Sequence, residues 1–166
     1  MKKSLVFVLF FFLTGYVFAQ NIAYVDIQKV MNQSKKGQEY KKEIESKVKY
    51  YQKKLEEIDK KISQIEKQLE SPVLSDEAKK KKRKELEELK EKGRNIQQNA
   101  EEELSKMKAK AERELVLKIK EITEKYAKEK NLDLVFIGGA IGGVVYHDKT
   151  VDITEEILKR LDGEKN

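Results

Sequence analysis

The longest regular pattern in the chain is a run of apolar residues separated by alternating steps of three and four between residues 44 and 69. This spacing is the a/d seam of a coiled coil. The run stops at Pro72, because proline cannot donate within a helix and disfavours helical geometry in the residue before it. The pattern therefore predicts a first helix from about Asp26 to Glu70. Its seam residues are Ile44, Val48, Tyr51, Leu55, Ile58, Ile62, Ile65 and Leu69.

A second apolar run extends from residue 86 to residue 126 and predicts a return helix from Ser75 to Lys130. Ser75 can cap the free amides, and the two acidic residues that follow it suit the positive end of the helix dipole. The period then lengthens to eleven, which favours nearly straight arms of roughly 65 to 85 Å. Residues 35–130 thus form one helical hairpin with its tip at 71–75. The second seam comprises Leu86, Leu89, Gly93, Ile96, Ala100, Leu104, Met107, Ala111, Leu115, Ile119, Ile122 and Tyr126.

The segments on either side of the hairpin, residues 20–34 and 131–166, predict a small β-containing body. Residues 21–26 read as a strand whose last residue, Asp26, caps the following helix. Residues 132–137 and 144–146 read as two strands joined as a hairpin across a glycine-rich loop, and Thr154 begins a final helix that stops at Gly163. The fold class is therefore α+β and mostly α: a long antiparallel helical hairpin attached to a small β body.

The strand around Phe136 is apolar on both faces, which so small a body cannot cover within one subunit. We therefore expect oligomerisation through the body. The residues expected at that interface are Ile22, Tyr24, Leu134, Val135, Phe136, Ile137, Val144 and Tyr146.

The first nineteen residues have the charged, apolar and small-residue regions of a secretory signal peptide, with cleavage expected after Ala19. The rival interpretation is an uncleaved membrane anchor, but the apolar run is shorter than the roughly twenty residues needed to span a bilayer. The sequence contains no cysteine, which excludes a lipidated cysteine and a disulfide framework. We expect an exported protein, which in a bacterial cell means the periplasm.

The 166 residues are 40% charged with a net charge of +6, which indicates solvated helices around a thin apolar seam. Residues 35–94 hold 20 basic against 14 acidic residues, so the far part of the hairpin carries the net positive charge. Such a surface can hold an acidic chain through weak distributed contacts, with off-seam apolar groups adding to them. The alternative for each lysine is an ordinary solvated helix face. The candidate contact residues are Lys53, Lys54, Lys60, Lys61, Lys79, Lys80, Lys81, Lys82, Arg83, Lys84, Tyr50, Val73 and Leu74.

No constellation of residues predicts catalysis, a metal or a cofactor, so an enzyme is the least expected class. Asp26 has no second carboxylate or histidine near it in sequence. His147, the single histidine, follows a predicted strand and is interpreted as a turn residue. The glycines of residues 138–143 precede a predicted strand, whereas phosphate-binding glycine loops open into a helix N-terminus.

The sequence resembles the Skp/OmpH family of periplasmic chaperones for outer membrane proteins over essentially the whole chain after residue 19. The most specific motifs are residues 22–30 (IAYVDIQKV) with Ser34 and Gly37, and Val145-Tyr146 followed by residues 151–154 (VDIT). The chain departs from the family pattern at residues 138–143, where glycines replace a shorter, more polar turn.

The resemblance implies a homotrimer whose helical hairpins hang from a shared body and enclose unfolded outer membrane proteins without ATP. A lipopolysaccharide site is associated with the family, but no positions here can be assigned to it. Two other classes stay open: a structural spacer or adaptor, and a basic protein that binds anionic lipid or nucleic acid, of which nucleic acid is the less expected partner.

Overall fold

The structure, a computed structural model, describes residues 20–139 and 143–163. The predicted signal peptide lies outside the described residues. The elements follow the order β1 (Ile22–Asp26), α1 (Ile27–Gln33), α2 (Lys35–Leu69), α3 (Asp76–Glu129), β2 (Leu134–Gly138), a 3-10 turn (Lys149–Val151) and α4 (Thr154–Gly163).

The two long helices pack side by side as an antiparallel hairpin, which we call the arm. Every predicted seam residue on α2 and α3 is buried or half-buried, so the apolar periodicity identified the facing surfaces. The Ser75 side chain accepts a hydrogen bond from the Ala78 amide at 3.3 Å, which confirms the predicted N-cap of α3. Helices of 35 and 54 residues are about 52 and 81 Å long, respectively.

The predicted first helix is not continuous, because the chain breaks at Ser34, whose ψ of 150° is extended. The buried Ser34 hydroxyl accepts from the Gly37 amide at 3.1 Å and starts α2 as its N-cap. A Cβ on Gly37 would lie 1.7 Å from the Met31 carbonyl oxygen, so a glycine is required for α1 to approach α2 so closely. Asp26 accepts from the Lys29 amide at 2.9 Å and caps α1, as predicted.

The sheet has two parallel strands, with Ile22 opposite Leu134 and Tyr24 opposite Phe136. The predicted strand at 144–146 is wrong, because residues 143–148 have no regular secondary structure. The expected β-hairpin is therefore absent from the described residues. The other edge of β1 is occupied instead by the segment just before α4. There the Tyr24 carbonyl accepts from the Ile153 amide at 2.9 Å.

The core lies where the arm meets the body. Its fully or almost fully buried members come from four elements: Val25 of β1, Val30 of α1, Ile119 and Ile122 of α3, and Ile157 of α4. Because α3 runs without interruption from the tip into this cluster, the same helix belongs to both the arm and the body.

Ile119→Ala should lower the free energy of unfolding by about 2 to 5 kcal/mol, since truncating a fully buried isoleucine removes its contacts and leaves a cavity. Leu117→Ala is the matched control: Leu117 lies two residues away on the same helix and is 61% exposed, so its loss should change stability by less than about 0.5 kcal/mol. Denaturant unfolding at one protein concentration measures both values. Equal effects of the two substitutions would contradict this placement of the core.

Candidate functional site

The predicted contact residues are spread along the outer arm and do not converge on a pocket. Those on α2 and those on α3 form two separate groups, and the α3 group lies next to the tip. All of these lysines and Arg83 are exposed except Lys79 and Lys82, which are half-buried. The structure therefore offers an extended basic surface.

Part of this basic charge is neutralised within single helices. Because such exposed pairs contribute little to stability, their lysines can exchange partners at little cost. Among the described residues, the other basic candidates form no ion pair with a carboxylate: Lys53, Lys54, Lys61, Lys79, Lys80 and Arg83. The pairs are Lys60 with Glu56 (2.8 Å), Lys81 with Glu77 (3.7 Å), Lys82 with Glu85 (3.0 Å) and Lys84 with Glu88 (3.9 Å).

The apolar candidates lie at two places on the arm. Val73 is 90% exposed in the loop of the tip, and its neighbour Leu74 is half-buried. Tyr50 is 48% exposed on α2, and the Lys54 ammonium lies 4.5 Å from the centre of its ring. Leu117 on α3 is also exposed, which the sequence did not indicate, because the apolar pattern there suggested only seam positions.

The second apolar surface lies on the body, on the outer face of the sheet. Ala23, Val25 and Val135 face the helices, whereas the outer face is largely uncovered. Of the predicted interface residues, Val135, Tyr24 and Val144 are half-buried. Val145, which the prediction omitted, is fully exposed. The remaining five are exposed: Ile22 (37%), Leu134 (47%), Phe136 (46%), Ile137 (55%) and Tyr146 (81%).

Two hollows adjoin the sheet, one on each side of it. One, of about 550 Å³, is lined by Ile22, Phe136 and Tyr146 among others. The other, of about 300 Å³, lies between the end of α3 and β2 and is lined by Val25, Ala127 and Ile137 among others. Both are open and mainly apolar, as is typical of surfaces that receive another protein segment.

His147 has a ring partner, which the sequence did not indicate. It stacks on Tyr24 with ring centres 3.8 Å apart and an interplanar angle of 19°. A Cβ on Gly138 would lie 2.0 Å from the Tyr24 ring, so this strand end must be glycine for the stack to form. The stack places His147 against β1 without strand pairing.

Within residues 20–139 and 143–163, no group of three or more histidine, cysteine, aspartate or glutamate side chains is arranged to hold a metal ion. In the same ranges, no helix is both long and apolar enough to cross a membrane.

The family model for OmpH-like outer membrane proteins matches residues 21–161. The chain belongs to this family. An uncharacterised protein of Aquifex aeolicus (strain VF5) is 38% identical to it over 162 residues, which cover 98% of this chain and 97% of that protein. The crystal structure of a proposed OmpH-like outer membrane chaperone from Caulobacter crescentus CB15 superposes with a TM-score of 0.77 at 12% identity, covering 86% of this chain and 84% of that one.

The OmpH-like match spans both the arm and the body, so the two belong to one fold. The family resemblance drawn from the two terminal motifs is thereby confirmed. Residues of both motifs pack together in the body, where Asp26 of the first donates its amide to the Thr154 hydroxyl of the second at 2.9 Å. The departure noted at residues 138–143 lies partly outside the described residues.

The tip of this OmpH-like arm should exchange its amide hydrogens fastest among the described residues, because it contacts only the outermost turns of α2 and α3. Hydrogen exchange followed by mass spectrometry should show residues 71–76 exchanging well before β1 and β2. Equal protection of the tip and the strands would exclude a free-hanging arm.

Proposed function

We propose that the protein is an ATP-independent periplasmic holdase that encloses unfolded outer membrane proteins and prevents their aggregation. The observation that carries the proposal is the match to the OmpH-like family along the arm and the body together. The geometry agrees with it, since a long, charged arm whose candidate contact residues are spread over its surface suits a chain that has no fixed shape.

The proposed working form is a homotrimer held by the bodies. Within the described residues, β2 pairs on one side only, and its free edge carries exposed apolar side chains. Such an edge beside an uncovered apolar face is an aggregation hazard unless another chain covers it. Neighbouring subunits would cover this surface and leave three arms pointing away from it.

Enclosure between arms would protect clients sterically. Unfolded β-barrel proteins aggregate by pairing their strand edges, and a client held between arms cannot meet another. The contacts to the client would be weak and numerous: ammonium groups act on acidic segments over a screening length of ~8 Å, and Tyr50, Val73 and Leu74 add scattered apolar contacts.

The direct test is to dilute a denatured β-barrel membrane protein out of urea, with and without the purified protein, and to follow light scattering. We expect suppression of aggregation without ATP at a stoichiometric excess of the trimer. Undiminished scattering would favour the alternative of a structural spacer or adaptor.

Phe136→Asp should dissociate the trimer or unfold the body, because it places a charge on the apolar face that the neighbouring subunits would cover. Leu117→Asp is the control: it places the same charge at an exposed apolar position on α3 and should leave the mass unchanged. Sedimentation or light-scattering mass gives the result. A wild type that is monomeric at micromolar concentration would overturn the trimer.

Replacing Lys79, Lys80, Lys81, Lys82 and Lys84 together by glutamate should weaken the holding of acidic clients while the trimer stays intact, because five charges are reversed on one surface. Each single replacement should matter little, since an exposed ion pair contributes ~0 to 1 kcal/mol. The matched control replaces the same five lysines by arginine and preserves the charge. Client affinity should be measured at low and high salt.

A distributed mechanism would be wrong if one lysine alone abolished binding, or if the fivefold glutamate variant held acidic clients as well as the wild type. High salt should reproduce the effect of the five replacements only in part, because apolar contacts persist when charges are screened.

An anionic membrane surface or lipopolysaccharide is the second candidate partner. Val73 is almost fully exposed at the tip, next to the basic run of α3, and an apolar group beside a cationic cluster suits the headgroup region of an anionic bilayer. Cosedimentation with vesicles that contain anionic lipid, compared with purely zwitterionic vesicles, tests this partner separately from client holding.

A further inference from the structure

Two tyrosines of α2 are hydrogen-bonded to glutamates of α3 across one flank of the seam. Tyr40 donates to Glu114, and Tyr51 donates to the Glu103 carboxylate at 2.5 Å. The tyrosines are eleven residues apart, and so are the glutamates in the opposite direction. Because eleven residues make about three helical turns, the same cross-helix bond recurs on the same flank one repeat further along the arm.

Each of these carboxylates also has a lysine beside its second oxygen. The Lys47 ammonium lies 2.6 Å from Glu103, and the Lys110 ammonium lies 3.8 Å from Glu114. The bonds from Lys47 and Tyr51 lower the pKa of Glu103. At neutral pH Tyr51 therefore donates to a charged acceptor, and such a bond is stronger than one between neutral groups.

The repeat does not continue towards the tip. Eleven residues beyond Tyr51 the chain has Ile62, which has no donor, and eleven residues before Glu103 it has Lys92, which has no acceptor. Beyond Tyr51, where the apolar seam continues through Ile58 and Ile65, the polar contact between the two helices is the Lys90 to Glu66 ion pair at 3.2 Å, whose side chains are about half exposed. A pair of this kind contributes little and is screened by salt.

We propose that Tyr40 and Tyr51 are straps that hold the body-proximal half of the arm closed, so that separation of α2 from α3 starts at the tip and stops at Tyr51. The arm is then stiff near the body and compliant in its outer part. This inference concerns the mechanics of the arm and does not rest on the proposed function.

The straps should fail at alkaline pH. The bond to Glu114 raises the pKa of Tyr40 to about 12, and Glu43 and Glu39 on its own helix act in the same direction. The Lys36 ammonium, 5.2 Å from the Tyr40 ring centre, is the cation beside it. Because the pKa in the folded arm lies above the ordinary value of ~10, the strap contributes fully below about pH 10 and is lost as the pH rises towards 12.

Tyr51 has the same type of environment, with the Lys47 ammonium 5.8 Å from its ring centre. The bond to Glu103 and the neighbouring Tyr50 raise the pKa of Tyr51, while the Lys47 charge opposes them. Ionisation of either tyrosine would remove the donated hydrogen and place two anions side by side, which separates the helices.

The test compares Tyr40→Phe, Tyr51→Phe and the double variant with Tyr50→Phe, a matched control on the same helix whose ring is half exposed and has lysines near its face. Hydrogen exchange at neutral pH should be roughly three- to tenfold faster in residues 40–55 and 99–114 of the double variant, since each lost bond to a charged group weakens the local closed state. Tyr50→Phe should leave these peptides unchanged. High salt should accelerate the outer arm more than the strapped half.

An absorbance titration of tyrosine ionisation gives an independent result. The wild type should contain a tyrosine that titrates near pH 12, and Tyr40→Phe should remove it. Glu114→Gln, which keeps an acceptor oxygen but removes the charge, should return that titration towards ~10. Unchanged exchange in the double variant, an equal effect of Tyr50→Phe, or a titration unaffected by Tyr40→Phe would each overturn the proposal.

Discussion

The continuity of α3 is the constraint on which the rest of the structure depends. One helix of 54 residues reaches from the tip to the core, where Ile119 is completely buried between the strands and the short helices. A two-helix hairpin with a thin seam buries little apolar surface per residue, so its stability far from the body is low. The arm is positioned because α3 cannot tilt without moving the core, and α2 follows α3 through the seam.

The terminal helix α4 contacts both long helices of the arm at their body-proximal ends. The Asp162 carboxylate accepts from the Lys35 amide at 2.8 Å, at the N-terminus of α2. At the C-terminal end of α3, the Arg160 guanidinium lies 2.7 Å from Glu129 and 4.7 Å from the centre of the Tyr126 ring. An anion thus meets the positive end of one helix dipole and a cation the negative end of the other, so both charges are favourably placed.

The sequence was sufficient for the features that depend on periodicity and capping. The seam, the tip at Pro72 and the caps at Asp26 and Ser75 follow from local rules, because a helix of this length repeats its environment every few residues. The break at Ser34 was missed because residues 27–33 keep an apolar pattern compatible with a longer helix; the decisive contact, between Gly37 and the Met31 carbonyl, is tertiary. The false strand at 144–146 has the same cause: its β-branched and aromatic residues suit a strand, but the edge of β1 that it might have joined is used by Ile153.

From the sequence, the candidate site could be predicted only as two kinds of surface, a basic one on the arm and an apolar one on the body. Whether a lysine pairs with a carboxylate one turn away depends on the direction of its side chain, which the sequence does not give. Lys79 and Lys80 therefore could not be distinguished in advance from the lysines that form pairs. The exposed apolar side chains of the body were easier to predict, since a strand apolar on both faces exceeds what so small a body can cover. The bonds of Tyr40 and Tyr51 could not be predicted from either helix alone, because they depend on how the two antiparallel helices are aligned. The loop length and the apolar seam together fix that alignment. The proposed difference in stiffness along the arm therefore depends on pairs of residues far apart in the chain, which the apolar pattern of either helix alone does not show.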